Sequence, residues 1–211
     1  MVNTKIFALI LVAIVVSFIG FCVENVFISF THGFMNNRNM VLPFLFGYGL
    51  AILVYYALFG TPNKPFFFGK EIAFATMGQS MLYCFIISMI GVSIGEIILG
   101  HMTEWCCDII WWDYSIIPLH ITRYTSIPTS AGFAFMITVF MRFCFDPLLE
   151  FFQKMHPNAL SFIACTFALV LVLDMINSTL YMFKNNNTLQ IWRIDFPKPL
   201  KDYILAIGHK I

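Results

Sequence analysis

The chain has 211 residues, of which 60% are hydrophobic, 18% aromatic and only 11% charged. Soluble domains carry about 25% charged residues, and here the apolar residues form long runs, so the sequence predicts an integral membrane protein. A formal net charge of +1 argues against nucleic acid as a partner. The six cysteines show no CxxC spacing, which argues against a zinc ribbon or a disulfide framework.

Five apolar runs predict an all-α, polytopic membrane bundle of about five helices, with an interfacial or re-entrant segment after the third. Each run is near the roughly 20 residues that cross a hydrocarbon core of about 30 Å. The first run is expected to be a retained span, because it exceeds a typical signal-peptide core in length and lacks a small-x-small cleavage site. The predicted spans are residues 6–30, 40–59, 72–100, 126–145 and 158–183.

These spans form one predicted transmembrane domain, residues 1–183, followed by a polar tail, residues 184–211. The tail has five basic residues and alternating apolar ones, so we expect an interfacial helix or a strap on the surface. Residues 60–71 and 146–156 are predicted to be ordinary solvated connections at the membrane face opposite to the tail.

The third span cannot continue as a straight membrane helix to Trp112, because about 40 helical residues would reach about 60 Å, twice the hydrocarbon thickness. The helix is therefore expected to leave the membrane, bend or re-enter between Gly95 and Ser115, with Gly95 and Gly100 as candidate bend points. The irregular segment 118–128 that follows must line protein or water rather than lipid.

An acidic, tryptophan-rich stretch ends the third span. It carries Glu96, Glu104, Asp108 and Asp113 and contains no Lys or Arg up to residue 115. Ionisable groups inside a membrane cost about 2.5–3.5 kcal/mol at the centre of a helix on insertion scales, and they indicate a site by default.

Helix direction predicts that the unusual residues collect at one leaflet. With five spans, the first, third and fifth run in the same direction, and Glu24, Glu96 and Asp174 each lie toward the end of one of them. We therefore expect these three carboxylates on one side of the membrane. The connections on that side carry further ionisable groups, which are Arg38, Glu104, Asp113, His120 and Arg123.

The same stretch resembles a known family. Glu96, Gly100, Glu104 and the run from Trp112 to Ser115 have the spacing E-x3-G-x3-E-x7-WDYS. This pattern is similar to that of the ABC-transporter type IV, or CmpB-like, membrane proteins, to which animal proteins of the transmembrane 229 type look related. The resemblance covers about residues 17–145. It includes further elements similar to the family's, which are Ser17, Phe18, Gly20 and Glu24, then Asn37 and Arg38, then Gly47, Tyr48 and Gly49.

The chain departs from the family pattern at two places. His120 and Arg123 stand where the family usually has an N-x-x-G element, and Asn39 replaces the glycine of its N-R-G element. The resemblance implies a permease-like or transport-associated membrane protein. The chain has no GxxxxGK[ST] motif, so any ATPase would be a separate partner.

The intramembrane carboxylates allow two interpretations. Glu24 and Glu96 are expected to form a proton, cation or polar-substrate site. Alternatively they are structural, with Glu24 paired to Arg38 or Arg123, or with a protonated carboxyl hydrogen-bonded between helices.

The run from Trp112 to Ser115 has similar alternatives. Asp113 and Ser115 suit a turn or a helix start, and Trp112 and Tyr114 suit the headgroup level of the membrane. The functional alternative is a substrate-facing wall in which Asp113 accepts hydrogen bonds or pairs with Arg123. The planar fork of Arg123 suits a phosphate or carboxylate, but neutralisation of the nearby acids is the favoured interpretation.

A metal site is a further hypothesis. His101, Glu104 and Asp108 lie at positions i, i+3 and i+7 of a helix, a spacing that places them on one face. They match no specific metal motif, and the polar face of an interfacial helix explains them as well. We predict no cofactor.

The leading functional hypothesis is a permease-like or transport-associated subunit with an acidic site near one leaflet, located in the cell membrane. The alternatives are an intramembrane enzyme that acts on a lipid or headgroup, and a scaffold or regulatory protein with structural carboxylates. The predicted partners are the lipid bilayer, a separate ATPase or other membrane subunit, and further copies of the chain.

Overall fold

The computed structural model describes residues 4–196, and the structural statements below refer to that range. The helices are α1 Thr4–Thr31, α2 Phe46–Phe59, α3 Met77–Cys107, α4 Ile127–Phe143, α5 Phe145–Gln153 and α6 Pro157–Asn185. The short strands are β1 Phe34–Asn36, β2 Gly60–Thr61, β3 Lys64–Phe67, β4 Lys70–Glu71, β5 His120–Thr122, β6 Thr125–Ser126 and β7 Arg193–Asp195.

The distribution of side chains along α3 is that of a membrane helix. Its buried positions are small, as at Ser80, Cys84 and Ser88, whereas Ile90 and Ile94 are about half exposed. A helix of a soluble protein would bury its large apolar side chains. In lipid, the apolar side chains face outward, and small residues allow helices to approach closely.

Three helices, α1, α3 and α6, are long and apolar enough to cross a membrane. The pair α4 and α5, bent by 46° at their junction, supplies a fourth if the two are counted as one span. α2 has 14 residues and is therefore about 21 Å long, less than a hydrocarbon core of about 30 Å. The helical membrane bundle is confirmed, whereas the exact number of five spans is not.

The contacts between helices fix their directions. Tyr48 near the start of α2 donates to Glu24 near the end of α1, and Tyr55 near the end of α2 donates to Cys84 Sγ near the start of α3, at 3.0 Å. α2 is therefore antiparallel to α1 and α3. We call the end of the bundle that contains Glu24 the acidic end, and the opposite end, which contains Lys5, the Lys5 end.

α4 and α6 follow the same alternation. Ser93 of α3 donates to Ser130 near the start of α4, so these two helices are antiparallel. Asp174 and Met182 in the second half of α6 contact residues 39–42 at the acidic end, so α6 runs in the direction of α1. The main apolar core lies toward the Lys5 end and joins α1, α2, α3, α4, α5 and α6 through Ala8, Leu11, Val12, Val16, Ile52, Cys84, Met141, Phe145, Leu149, Leu160 and Ala164.

The second predicted span starts too early in the sequence. Its helix begins at Phe46 rather than at residue 40. The backbone amides of Val41 and Leu42 donate to Asp174 of α6 at 2.9 Å each, so these residues are held outside a helix. Pro43 follows directly, and a proline disfavours helical backbone in the residue before it.

α3 is not broken at Gly95 or Gly100, the candidate bend points, but it ends within the interval 95–115 in which the sequence predicted a change of course. The helix begins at Met77 rather than at residue 72, where the Thr76 side chain accepts from the Gln79 amide at 3.3 Å. It ends at Asp108, which adopts a left-handed conformation with φ 53°. After it the chain forms a β5–β6 hairpin within residues 118–128, the segment that was expected to be irregular.

The prediction of a solvated loop over residues 146–156 was wrong, because most of that segment is α5. Phe145 and Leu149 lie four residues apart on one face of this helix and are buried in the core. The polar residues of α5 are not buried with this pair, since Asp146 is partly exposed and Glu150 is exposed.

The tail returns to the bundle in its described part. β7 pairs antiparallel with β1, and Asn37 and Asn39 exchange hydrogen bonds with the backbone of residues 189–191. Residues 189–195 therefore lie against residues 34–39. The interfacial helix or surface strap expected for the tail stays a prediction, and residues 197–211 lie outside the described residues.

Candidate functional site

The acidic end brings together ionisable and hydroxyl groups from five segments of the chain. α1 supplies Glu24, the turn after β1 supplies Arg38, α2 supplies Tyr48 and α3 supplies Glu96. Tyr114, from the connection between α3 and α4, completes the group. We call these five residues the acidic cluster.

Glu24 is neutralised within the cluster. Its Oε2 lies 3.1 Å from Arg38 Nη2, and its Oε1 accepts from the Tyr48 hydroxyl. The Glu24 and Arg38 side chains are 17% and 15% exposed, so this is a largely desolvated ion pair. The pairing with Arg38, one of the two structural partners expected from the sequence, is therefore present. Arg38 reaches Glu24 from a turn in which Arg38 and Asn39 both have positive φ, 49° and 65°.

Glu96 has a different environment. Its Oε2 accepts from Thr125 Oγ1 at 2.7 Å, and Thr125 Oγ1 lies 2.9 Å from Ser130 Oγ. Ser93 Oγ then donates to Ser130 Oγ at 3.0 Å, so a chain of hydroxyls runs from Glu96 along the α3–α4 interface. Within residues 4–196, Glu96 has no cation within ion-pair distance.

Tyr114 lies close enough to both carboxylates to be affected by their charges. Burial raises its pKa above the usual range, and the negative charges of Glu96 and Glu24 add to the rise while Arg38 opposes it. Tyr114 thus stays a neutral hydroxyl among two acids and one cation. Its position is fixed by its backbone amide, which donates to the carbonyl of Arg123 at 2.7 Å.

A second polar group lies at the rim of the acidic end. Glu104 Oε2 accepts from the Tyr124 hydroxyl at 2.5 Å, and Glu104 Oε1 lies 3.4 Å from Arg123 Nη1. Arg123 Nη2 also lies 3.8 Å from Asp113 Oδ2. These three charged side chains are about 40% exposed, so the rim is open to solvent, and one arginine there faces two carboxylates.

The run from Trp112 to Ser115 holds the connection in place. Trp112 Nε1 donates to the carbonyl of Tyr124 at 2.8 Å, and Asp113 Oδ1 accepts from the Ser115 amide at 2.8 Å. The hydrogen bonds from Ser115, together with the nearby Arg123, lower the pKa of Asp113. Trp112 therefore anchors the hairpin, and the expected place of Trp112 and Tyr114 at the headgroup level stays a prediction.

Asp174, His101 and Asp108 lie apart from the acidic cluster. Asp174 is buried and occupied by the two backbone amides of residues 41 and 42, so it has a structural role. His101 is exposed, 3.9 Å from Glu104, and Asp108 is the exposed C-cap of α3. In the part of the chain that the structure describes, no three His, Cys, Asp or Glu side chains are placed to hold a metal ion.

A family model covers most of the chain. Residues 11–179 match the family described as "putative ABC-transporter type IV". The chain belongs to this family. No curated protein and no solved structure matches the chain significantly. The relation to the transmembrane 229 type stays a prediction.

The motif elements of this ABC-transporter type IV chain meet at the acidic end, and its glycines explain part of their spacing. A Cβ at Gly20 would lie 2.6 Å from the ring of Tyr48, which donates to Glu24. A Cβ at Gly100 would overlap the ring of Tyr124, which donates to Glu104. In both cases a glycine makes room for the tyrosine that binds the carboxylate four residues further along the helix.

Sequence reasoning missed the hydroxyl partners of the cluster. Tyr48 was named only as part of the family-like element with Gly47 and Gly49, and Thr125 and Ser130 were not singled out. The available signal for Tyr48 was its place between Gly47 and Gly49 in the family-like element. Thr125 gave no signal, because it depends on a hairpin that brings it back to α3.

Proposed function

We propose that this membrane protein is transport-associated and that its acidic cluster binds a proton or a small cation at Glu96. The family description and the spanning helices support a transport-associated membrane protein. The assignment to Glu96 comes from the difference between its partners and those of the other acids.

The supporting observation is that Glu96 lies inside a long apolar helix with hydroxyl partners and no described cation. A carboxylate in such a place is stable only if it takes a proton or is matched by a positive charge. Arg38 is already paired with Glu24, so it does not neutralise both acids. Glu96 therefore needs a positive charge from outside the described residues.

Arg38 adds a second unmet group beside the same cluster. Its Nε is buried and has no hydrogen-bond partner within residues 4–196. A buried guanidinium donor without a partner is costly, so a water molecule or an acceptor atom of a polar solute is expected there. The cluster thus contains a carboxylate without a described cation and a guanidinium N–H without a described acceptor, which suits a hydrated cation or a small polar solute.

The test uses purified protein in liposomes that contain a pH-sensitive dye. A potassium gradient with valinomycin sets the membrane potential, and the rate of internal pH change measures proton movement. We expect faster change than in empty liposomes, and Glu96→Gln to lower the protein-dependent rate at least about tenfold, because the amide cannot titrate. Glu104→Gln is the matched control and should retain most of the rate, since Glu104 lies at the solvated rim.

Proton movement equal to that of empty liposomes would exclude the proton, and the absence of sodium and potassium movement as well, or an unchanged rate in Glu96→Gln, would contradict the proposal. Replacing the pH dye with a sodium- or potassium-sensitive dye extends the same comparison to small cations. A separate ATPase partner is proposed from the family description alone, and copurification from native membranes tests it. Location in the plasma membrane is likewise a proposal, which membrane fractionation tests.

One observation favours a second candidate, a membrane scaffold. Glu24, Glu104 and Asp174 are each occupied by protein groups in the described structure. If Glu96 is structural as well, Glu96→Gln will lower thermal stability or assembly, and the wild-type protein itself will show no proton or cation flux. Stability measured beside flux in the same preparations distinguishes the two functions.

A further inference from the structure

A cavity of about 1100 Å³ lies at the Lys5 end, far from the acidic cluster. It opens between the start of α1, the β2–β4 region and α5. Its charged lining residues are three cations and three anions, namely Lys5, Lys64, Arg142, Glu71, Asp146 and Glu150. The charges therefore sum to zero.

Asn63 keeps two of these opposite charges apart. Its Oδ1 accepts from Arg142 Nη1 at 2.8 Å, and its Nδ2 donates to Asp146 Oδ2 at 2.7 Å. Thr61 Oγ1 donates to the same carboxylate oxygen at 3.3 Å. One asparagine thus holds a guanidinium and a carboxylate in fixed positions on either side of itself.

None of the six charged residues forms an ion pair within residues 4–196. Arg142 and Asp146 are one helical turn apart in sequence, yet an amide separates them. A cavity with fixed, separated charges of both signs is complementary to a molecule that carries both signs. Its ligand is therefore expected to be a zwitterion.

The position of the cavity indicates the kind of zwitterion. It lies at the end of helices long enough to span a membrane, where lipid headgroups are found. Apolar side chains continue the lining, including Phe66, Ile72 and Phe143, and Phe143 is 58% exposed. A headgroup in the cavity would have its acyl chains beside these residues.

We propose that this cavity is a binding site for a phospholipid whose headgroup joins a phosphate to a primary ammonium. Arg142 and Lys5 bind the phosphate, since a guanidinium matches its oxygens. Asp146 and Glu150 accept hydrogen bonds from the ammonium. A quaternary ammonium cannot donate such bonds. Two of the aromatic rings that line the cavity already face a cation of the protein, since Lys5 Nζ lies 5.8 Å from the centroid of Tyr56 and Arg142 Cζ lies 5.1 Å from that of Phe143.

The test is native mass spectrometry of the full-length protein in detergent, titrated with lipids that share acyl chains. The probes are palmitoyl-oleoyl-phosphatidylethanolamine, the matching phosphatidylcholine and the matching phosphatidylglycerol. We expect the ethanolamine lipid to bind most tightly, and Arg142→Gln and Asp146→Asn each to weaken it about tenfold, as for loss of a charged hydrogen bond. Lys154→Gln removes an exposed cation of the same region outside the cavity and should leave binding unchanged.

Two further measurements keep the outcome unambiguous. Thermal unfolding of each variant identifies any that fails to fold, and Glu150→Gln, which removes an exposed carboxylate, then replaces Asp146→Asn. Equal binding of all three lipids, or wild-type binding by both cavity variants, would overturn the proposal. Soluble glycerophosphoethanolamine is the last arm, and competition at the concentration of the lipid would assign the site to a free headgroup instead.

Discussion

At the residue level, the carboxylates of the acidic end differ in what holds them. Glu24 pairs with a cation and a phenol, Glu96 accepts from a hydroxyl, and Asp174 accepts from two backbone amides. The same substitution, acid to amide, should therefore affect charge movement at one position and stability at another.

Asp174→Asn is expected to lower the free energy of unfolding by about 1–3 kcal/mol, because an amide side chain has one acceptor oxygen for two buried N–H groups. The proton flux of Asp174→Asn in the liposome assay, measured per amount of folded protein, should equal that of the wild type. Thermal unfolding in detergent provides the measurement. Asp108→Asn is the control, since Asp108 is exposed and asparagine tolerates its left-handed backbone; equal stability of both variants would contradict the structural role of Asp174.

Asp113 should make stability depend on pH in acid. Its folded pKa is lowered by its hydrogen bonds to Ser115 and by Arg123, so its contribution is present above the ordinary value of about 3.9 and lost as pH falls through the lower folded pKa. Asp113 is 43% exposed, and solvent screening limits the effect to below about 1 kcal/mol. The difference in melting temperature between wild type and Asp113→Asn should be constant from pH 5 to 8 and shrink below about pH 4.

The residue-level predictions succeeded where charge alone decides the partner. An acid inside a helix needs a cation, and Arg38 was one of two candidates for Glu24. The hydroxyl partners could not be predicted, because Thr125 meets Glu96 only through the hairpin that follows α3. Threonines and serines are common and carry no charge pattern that marks a distant partner.

At the level of elements, close approach of α1 and α2 depends on which glycine faces the partner helix. A Cβ at Gly49 would overlap the carbonyl oxygen of Ala13 and Ser17 Oγ, whereas a Cβ at Gly47 meets nothing within 4 Å. The two glycines lie two residues apart in one helix, so they face different directions.

Gly49→Ala is therefore expected to destabilise the protein by about 1–3 kcal/mol, since the obstructing atom of Ala13 is backbone. Gly47→Ala should be neutral or stabilising by up to about 1 kcal/mol, because alanine is the better helix former and has open space. Thermal unfolding of the two variants side by side measures this. Equal destabilisation would show that flexibility of α2, rather than its contact with α1, explains both glycines.

The sequence predicted the presence of the long helices more reliably than the residues at which they begin and end. Long apolar runs predicted α1, α3 and α6, because a bilayer requires about 20 apolar residues. α5 was missed because a helix of nine residues is far shorter than a membrane span, so the segment was interpreted as a connection between spans although five of its nine residues are Phe or Leu. The glycines of α3 were misinterpreted as bend points, since Gly100 serves to admit the Tyr124 ring.

At the level of the whole molecule, helix directions limit the possible topologies. α1, α3 and α6 all run from the Lys5 end to the acidic end, as the contacts of Tyr48, Tyr55 and Asp174 require. If these three helices cross the membrane, the chain must return twice, through α2 and through α4. This argument predicts five crossings, although α2 has only 14 residues.

A short return helix is compatible with a bilayer only if the membrane thins beside it or neighbouring helices shield its ends. α2 has both of its ends at protein, since Tyr48 contacts Glu24 and Phe59 contacts the rings of Phe67 and Phe68. Its backbone ends are thus near other parts of the chain rather than alone in lipid. We therefore expect α2 to act as a crossing despite its length.

Single cysteines in a background without the native six test this topology. Lys70→Cys and Gln153→Cys are exposed positions at the Lys5 end, and Ile116→Cys and Asn187→Cys are exposed positions at the acidic end. A membrane-impermeant maleimide, added to intact cells and again after permeabilisation, should label one pair before and the other pair only after. His32→Cys, an exposed position between α1 and α2 at the acidic end, should label together with residues 116 and 187. Labelling of residue 32 together with residue 70 would show that α2 does not return the chain across the membrane.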